Sequence, residues 1–246
     1  MTEHCNQYIS VWPPENTVFP VSDLSLRVVA GEHPFHLAEG EAAAANWGLE
    51  IARTPALYNG RMVFQHQLEI EDGAMRGEGH VIPYSTFLWW RKQPSPVTGY
   101  HPYGFPVVVS SDGAIIAVEM GAHTANAGQI YCAAGSLDES DIVDGYCDIR
   151  RNMAREVKEE TGLDLGQGET DGRLFASHCR RRVTVIQIFR FRERATDLLK
   201  RIEDHMRVDE EKEIAGAVAI HSPDPKAHRY AAAMPPLLDW FFTMER

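Results

Sequence analysis

The alternation of apolar and polar positions divides the chain near residue 104. Before that point the pattern is broken. Residues 42–53 fit a helix whose face mixes Trp47, Leu49 and Ile51. Residues 61–71 alternate like a strand through Met62, Phe64, His66, Leu68 and Ile70. A turn at Glu71-Asp72-Gly73 follows, with a hairpin partner over 74–82. Tyr84 to Trp90 is an aromatic patch, and 92–104, rich in Pro and Gly, reads as a linker or long turn. The expected organisation is an N-terminal extension over 1–103 and a main domain over 104–246.

Past the linker the pattern sharpens. Apolar runs at 105–110 and 114–120 are joined through Ser111-Asp112-Gly113, a hairpin signal. A short strand at 129–134 leads into a polar loop over 135–147. A helix follows from Asp148 as N-cap to Thr161, with Gly162 near its C-cap. Strands at 173–179 and 183–191, a helix over 193–206, a strand over 213–220 and a helix over 235–244 complete the series. This order predicts an α/β fold, a mixed sheet sandwiched between helices, plus an N-terminal extension of strands and a helix.

The helix at 148–162 is unusual in where it puts its charge. At roughly 100° per residue from Ile149, Met153 falls near +40°, Val157 near +80° and Leu163 near −40°. On the same approximate scale, Glu156 (about −20°) and Glu160 (about +20°) lie inside that apolar stripe. Glu159 lies at its edge, and Arg155 precedes Glu159 by one turn. Unpaired buried carboxylates cost several kcal/mol each. A divalent cation offsets that cost, and so do arginines brought from elsewhere in the fold. An ordinary solvated charge run is the competing reading.

Composition narrows the classes. The chain has 246 residues, with 35 Asp and Glu against 24 Lys and Arg, a formal charge of −11. A nucleic-acid wrapper would show a basic face, so none is expected. Cys5, Cys132, Cys147 and Cys179 form no CxxC pair, which disfavours a zinc ribbon or redox dithiol. Residues 1–16 have neither a basic start nor an apolar segment, so no secretion signal is expected. No run approaches a membrane span. The expected setting is cytoplasmic.

The run Arg155-Glu156-Val157-x-Glu159-Glu160-x-Gly162-Leu163 resembles the second half of the Nudix box, Gly-x5-Glu-x7-Arg-Glu-U-x-Glu-Glu-x-Gly-U with U aliphatic, and matches each of its fixed positions. The first half departs. Gly135 is the natural opening glycine, but it lies 20 positions before Arg155 where the pattern allows 14, so the loop carries six extra residues. The position eight before Arg155 is Cys147 rather than Glu, with Asp144 or Asp148 as stand-ins.

The resemblance implies a Nudix-type α/β/α sandwich and a Mg²⁺- or Mn²⁺-dependent hydrolase of nucleoside diphosphates linked to another group. Glu156, Glu159 and Glu160 then occupy metal-ligand positions, and one of them orients or deprotonates the attacking water. Gly135, Arg155 and Gly162 take structural positions. Glu211 and Glu213 are candidates for a fourth acid, against a solvated charge run. The partner is then a small nucleoside diphosphate derivative rather than a nucleic acid or membrane, with a homodimer as the assembly to consider.

Pro55-Ala56-Leu57-Tyr58-Asn59-Gly60, followed by Tyr84-x-x-Phe87, is similar to a Nudix subset that hydrolyses UDP-sugars and also carries an enlarged box loop. This implies UDP-glucose-type substrates, giving UMP and a sugar 1-phosphate. Arg61 is a candidate phosphate contact or a surface arginine. Phe87, Trp89 and Trp90 are a base-stacking group or core. The loop 123–129 offers Asn126 and Gln129 as substrate contacts or ordinary turn residues. His123, His205 and His221 fit no metal-ligand spacing. ADP-ribose, dinucleotide or coenzyme A substrates, and a catalytically silent nucleotide-binding sensor, are the alternatives.

Overall fold

The computed structural model describes residues 12–244. The elements in chain order are β1 (Phe19–Val21), β2 (Asp23–Val28), α1 (Pro34–Arg53), β3 (Arg61–Glu71), β4 (Ala74–Pro83), α2 (Tyr84–Arg91), β5 (His101–Val109), β6 (Ile115–Met120) and β7 (Ile130–Tyr131). There follow β8 (Ile142–Val143), β9 (Tyr146–Cys147), α3 (Ile149–Thr161), β10 (Leu174–Cys179), β11 (Arg182–Arg190), α4 (Ala195–Met206), β12 (Ile214–Ile220) and α5 (Met234–Met244).

These strands form two mixed sheets. The larger runs β1-β10-β11-β5-β6-β12, with β7 also on β6; the smaller runs β3-β4-β2-β9-β8. In the large sheet the pairing is antiparallel except between β11 and β5. Register places Gly104, Val185 and Ala176 on one face, and Phe105, Ile186 and Phe175 on the other. Gly104 lies under α3, where a Cβ would come within 2.7 Å of Met153 Cγ. Phe175 meets Trp240 of α5, ring centroids 4.7 Å apart. Helices therefore cover both faces, giving the expected α/β/α layering.

Several local expectations are corrected. The aromatic patch is helix α2. Pro83 precedes it, and Asn59 Oδ1 accepts from the Ser85 amide at 2.8 Å, taking up one of the amides a helix start leaves free. Phe87 and Trp90, one turn apart, pack on Phe64 at 6.2 and 5.0 Å. The Trp90 indole N–H donates to Thr98 O at 2.7 Å, so its burial leaves no polar group unmet. Helix α1 begins at Pro34 rather than 42 because His33 caps it, Nδ1 accepting from Phe35 N at 3.0 Å. The strand expected over 129–134 is only Ile130–Tyr131.

The segment 92–104 is loop only as far as Tyr100. Its last residues open β5, where Pro102 and Pro106 are tolerated because 101–107 pair with β11 alone. The 103/104 border lies inside this strand. The two sheets also exchange strands: β1 pairs with β10, and the β8–β9 hairpin pairs with β2.

No helix among the described residues is long and apolar enough to cross a membrane. Cys132, Cys147 and Cys179 are free, while Cys5 and the reading of residues 1–11 lie outside the described residues.

His33 makes the small sheet pH-sensitive. It is fully buried beside His66 and His80, with ring centroids 6.2 and 6.0 Å away. Burial, reinforced by the neighbouring histidines, pulls its pKa from 6.5 to about 4. The unfolded chain therefore binds more protons between those values. Stability from this group is full above pH 6.5 and falls as pH drops towards 4, by about 1.4 kcal/mol per unit. His33→Asn keeps a capping oxygen without titrating. Urea midpoints between pH 4.5 and 6.5 should show a shallower pH slope in this variant; equal slopes would contradict the assignment.

Candidate active site

Helix α3 carries the acids, and both its ends are fixed by side chains. Asp148 caps it, accepting from the amides of Arg150 and Arg151 at 3.0 and 3.1 Å. Gly162 ends it in the left-handed region, φ 69°, where a Cβ would lie 2.7 Å from the His205 ring. His205 Nε2 sits 2.8 Å from the Glu159 carbonyl, one of those a helix end leaves open. His205 thus docks α4 on α3.

The azimuths translate directly into burial. Glu156 and Glu160 are 8% and 4% exposed, beside the fully buried Met153 and Val157, while Glu159 is exposed. Gly135 is required by this arrangement: a Cβ there would overlap the Glu156 carboxylate.

Arg155 is the hub. Its guanidinium lies 2.9 Å from Asp141, 2.9 Å from Glu156, 3.0 Å from Glu159 and 3.4 Å from Asp138. Asp141 is fully buried and also accepts from Asp138 N at 3.0 Å and Asn152 Nδ2 at 3.1 Å.

Asp141 is the acid that counting back from Arg155 misses. Asp148 is engaged as a cap, and Asp144 sits in a turn at φ 51°. Counting forward, Asp141 lies six positions after Gly135, the spacing of the Gly-x5-Glu half with Asp in place of Glu. The extra residues come after the acid. They are 142–147, the β8–β9 hairpin, closed at its base by Asp148 N donating to Asp141 O at 2.8 Å.

The electrostatics are those of acids short of cations. Burial pushes Glu156 up to about 8; Arg155 pulls it down, while Glu159, Glu213 and Asp141 push it further up. Burial raises Glu160 well above the carboxylate range, with Glu156 and Glu213 adding repulsion. Glu213 is raised by burial, then by Glu211 and Glu159. All four glutamates therefore share one field. Glu160 Oε2 is buried with no hydrogen-bond partner.

An unmet oxygen, a glycine cradle and an all-carboxylate donor set suit a hard divalent cation. The carboxylates do not converge as a ligand group among the described residues. Arg155 pairs with two of them, Glu156 and Glu159.

A cleft of about 1410 Å³ opens beside these acids, and Arg61, Asn126 and Gln129 all line it. Arg61 pairs with Glu139 at 3.3 Å. Asn126 is a bridge, accepting from Arg91 at 2.8 Å and donating to Tyr131 Oη at 3.1 Å. Of the aromatic patch only Tyr84 and Phe87 reach the cleft; Trp89 donates to Glu39 and Trp90 is core. Register sets His101, Tyr103, Arg182 and Thr184 on the cleft floor, the sheet face away from α3. Sequence reasoning missed Arg91, Arg182, His101 and Tyr131, which no motif marks. His123 lines the cleft near Glu213, whereas His221 is exposed and lies off it.

No family model matches the chain, and no curated protein matches it. Among solved structures, it is similar to a MutT protein of Methanosarcina mazei Go1, with 16% identity over 60% of this chain and 96% of that one, TM-score 0.41. It is also similar to a Deinococcus radiodurans protein, with 11% identity over 74% and 99%, TM-score 0.46. A third is the NUDIX domain of Shewanella oneidensis NrtR, solved with ADP ribose, with 13% identity over 60% and 89%, TM-score 0.42. The chain is an α/β protein with mixed sheets and an extra N-terminal region, and the solved structures it is similar to include Nudix proteins.

Asp141→Asn removes the fully buried member of Arg155's two buried counter-charges, Glu156 being the other. Breaking one side of a buried pair costs about 3–5 kcal/mol. Thermal unfolding should show a loss of this order; a change under about 1 kcal/mol, the size of a surface pair, would contradict the bracket.

Proposed function

We propose that this chain is a Mg²⁺-dependent hydrolase, with Mn²⁺ as the alternative ion. It splits the diphosphate of a nucleoside diphosphate joined to another moiety, a UDP-sugar foremost, into a nucleoside monophosphate and a sugar 1-phosphate. The observation that carries this reading is the pair of buried glutamates, Glu156 and Glu160, set at the wall of a cleft that arginines line elsewhere. The complete Arg155-to-Leu163 half of the box supports it, and so does Asp141 at the acid position of the first half.

Glu156, Glu159, Glu160 and Glu213 would hold the ion, which supplies charge neutralisation on the nonbridging phosphate oxygens. The protein's own part is positional. Arg155 and Asp141 fix the acids, and Gly135 leaves room for Glu156. Attack of a water oxygen on phosphorus breaks one bridging P–O bond; a glutamate takes the water's proton, and the second phosphate leaves with its sugar.

The UDP-sugar choice rests on 55–60 and on Tyr84 and Phe87. Asn59 caps α2, Gly60 O accepts from Tyr84 N at 2.8 Å, and Tyr58, Tyr84 and Phe87 line the cleft. A cytoplasmic setting belongs to this proposal. A second reading, a nucleotide-binding sensor without turnover, is favoured by the hold of Arg155 on two of the acids; Mg²⁺-dependent thermal stabilisation with no turnover of any diphosphate would select it.

With Mg²⁺, UDP-glucose should yield UMP and glucose 1-phosphate. Glu159→Gln and Glu160→Gln should each lower kcat by about 100-fold or more with circular dichroism unchanged. Undiminished turnover in both would overturn the site. Turnover of ADP-ribose in place of UDP-glucose would keep the site and move the substrate.

A further inference from the structure

Three consecutive arginines, Arg180, Arg181 and Arg182, close the β10–β11 hairpin. The first two occupy its tip in the left-handed region, φ 49° and 63°, where side chains other than Gly or Asn are disfavoured. Both are held there by the loop ahead of β5. Arg180 Nη2 donates to Gln93 O at 2.9 Å and to Pro94 O. Arg181 Nε donates to Gly99 O at 2.9 Å, and its guanidinium lies 3.8 Å from the Tyr100 ring centroid.

Arg182 differs from both. It is half-buried and lines the cleft, and its guanidinium has no hydrogen-bonded or ion-paired partner among the described residues. In an acidic chain, an arginine left free in a cleft is conspicuous.

Its neighbours define a surface. Register sets Arg182 beside His101, and Thr184 beside Tyr103, on one sheet face. The His101 and Tyr103 rings stack with centroids 5.0 Å apart, and the Tyr103 and Thr184 hydroxyls meet at 3.1 Å. His101 Nε2 meets Ser136 Oγ at 3.0 Å, next to Gly135 of the box loop. Burial keeps His101 neutral, and the charges of both Arg91 and Arg182 act in the same direction. Arg91 donates to Asn126, Arg229 to Ala127 O at 3.3 Å, and Arg61 and Arg155 are ion-paired, so among the arginines lining the cleft Arg182 is the one whose guanidinium has no partner among the described residues.

We infer that Arg182 is a substrate-binding residue, which takes the phosphate of the diphosphate that the glutamates do not serve, over the polar floor of His101, Tyr103 and Thr184. This rests on the hydrolase reading and adds to it a second anion subsite. A guanidinium presents paired N–H donors that match two phosphate oxygens, which a lysine ammonium does not. With the α3 carboxylates and Arg182 of β11 lining one cleft, two linked phosphates are recognised rather than one.

The test is calorimetric titration of methylenediphosphonate, whose P–C–P bridge resists hydrolysis, with Mg²⁺ present. Orthophosphate is run alongside, as is UDP-glucose turnover. Wild type should bind the diphosphonate more tightly than orthophosphate. Arg182→Gln should weaken diphosphonate binding by about 10–100-fold, and Arg182→Lys by less. A wild type that does not bind the diphosphonate, or an Arg182→Gln variant that binds it equally well, overturns the subsite. Should Arg182→Gln fail to fold, Arg182→Lys decides, weakened binding supporting the subsite and unchanged binding overturning it. Arg182-dependent binding without turnover of any nucleoside diphosphate derivative keeps the subsite and removes the hydrolase reading. Turnover with an unchanged KM in Arg182→Gln does the reverse.

Discussion

The structure around the cleft depends on keeping two carboxylates, Glu156 and Glu160, out of water. Their helix has no choice of rotation, because Met153 and Val157 on the same stripe fill the core. The desolvation cost is met in part by Arg155, itself held by the fully buried Asp141. What Arg155 does not reach is Glu160, whose Oε2 stays without a partner. A single arginine stabilises the frame of the site while leaving it short of positive charge, which is the condition under which a divalent ion gains most from entering.

The N-terminal region is joined to this frame rather than appended to it. Excess loop length between Asp141 and Asp148 is folded into a hairpin that extends the small sheet through β2. In the other direction, β1 extends the large sheet. Helix α2 and the 56–61 loop then contribute Tyr84, Arg91, Tyr58 and Arg61 to the cleft. The acids belong to one half of the chain, and part of the cleft wall belongs to the other.

Legibility in the sequence followed the range of the interaction. Helix α3 was readable to the residue, since its cap, stop and stripe are local, and its azimuths foretold which glutamates are buried. The β3–β4 hairpin was equally clear, with Asp72-Gly73 at its tip. Helix α2 was not, because Tyr84–Arg91 has aromatic residues on all sides and its capping amide acceptor, Asn59, lies 26 residues away. Asp141 was hidden by counting from the wrong end of an insertion. Arg91 and Arg182 carry no local signature, because their meaning comes from the β5–β11 register and from α2 folding over it.

We propose that Glu160 is buried for a cation and not for the fold. Thermal unfolding of wild type and Glu160→Gln at pH 8, with and without Mg²⁺, tests it most directly. Because the folded protein raises the Glu160 pKa above its ordinary 4.5, the metal-free wild type loses stability as pH rises beyond that value, and the amide escapes the loss. Without metal the variant should therefore unfold at a higher temperature than wild type. With Mg²⁺ the wild type should gain stability and the variant should gain little or none. A variant less stable than wild type without metal, or one stabilised by Mg²⁺ to the same extent, would contradict the account.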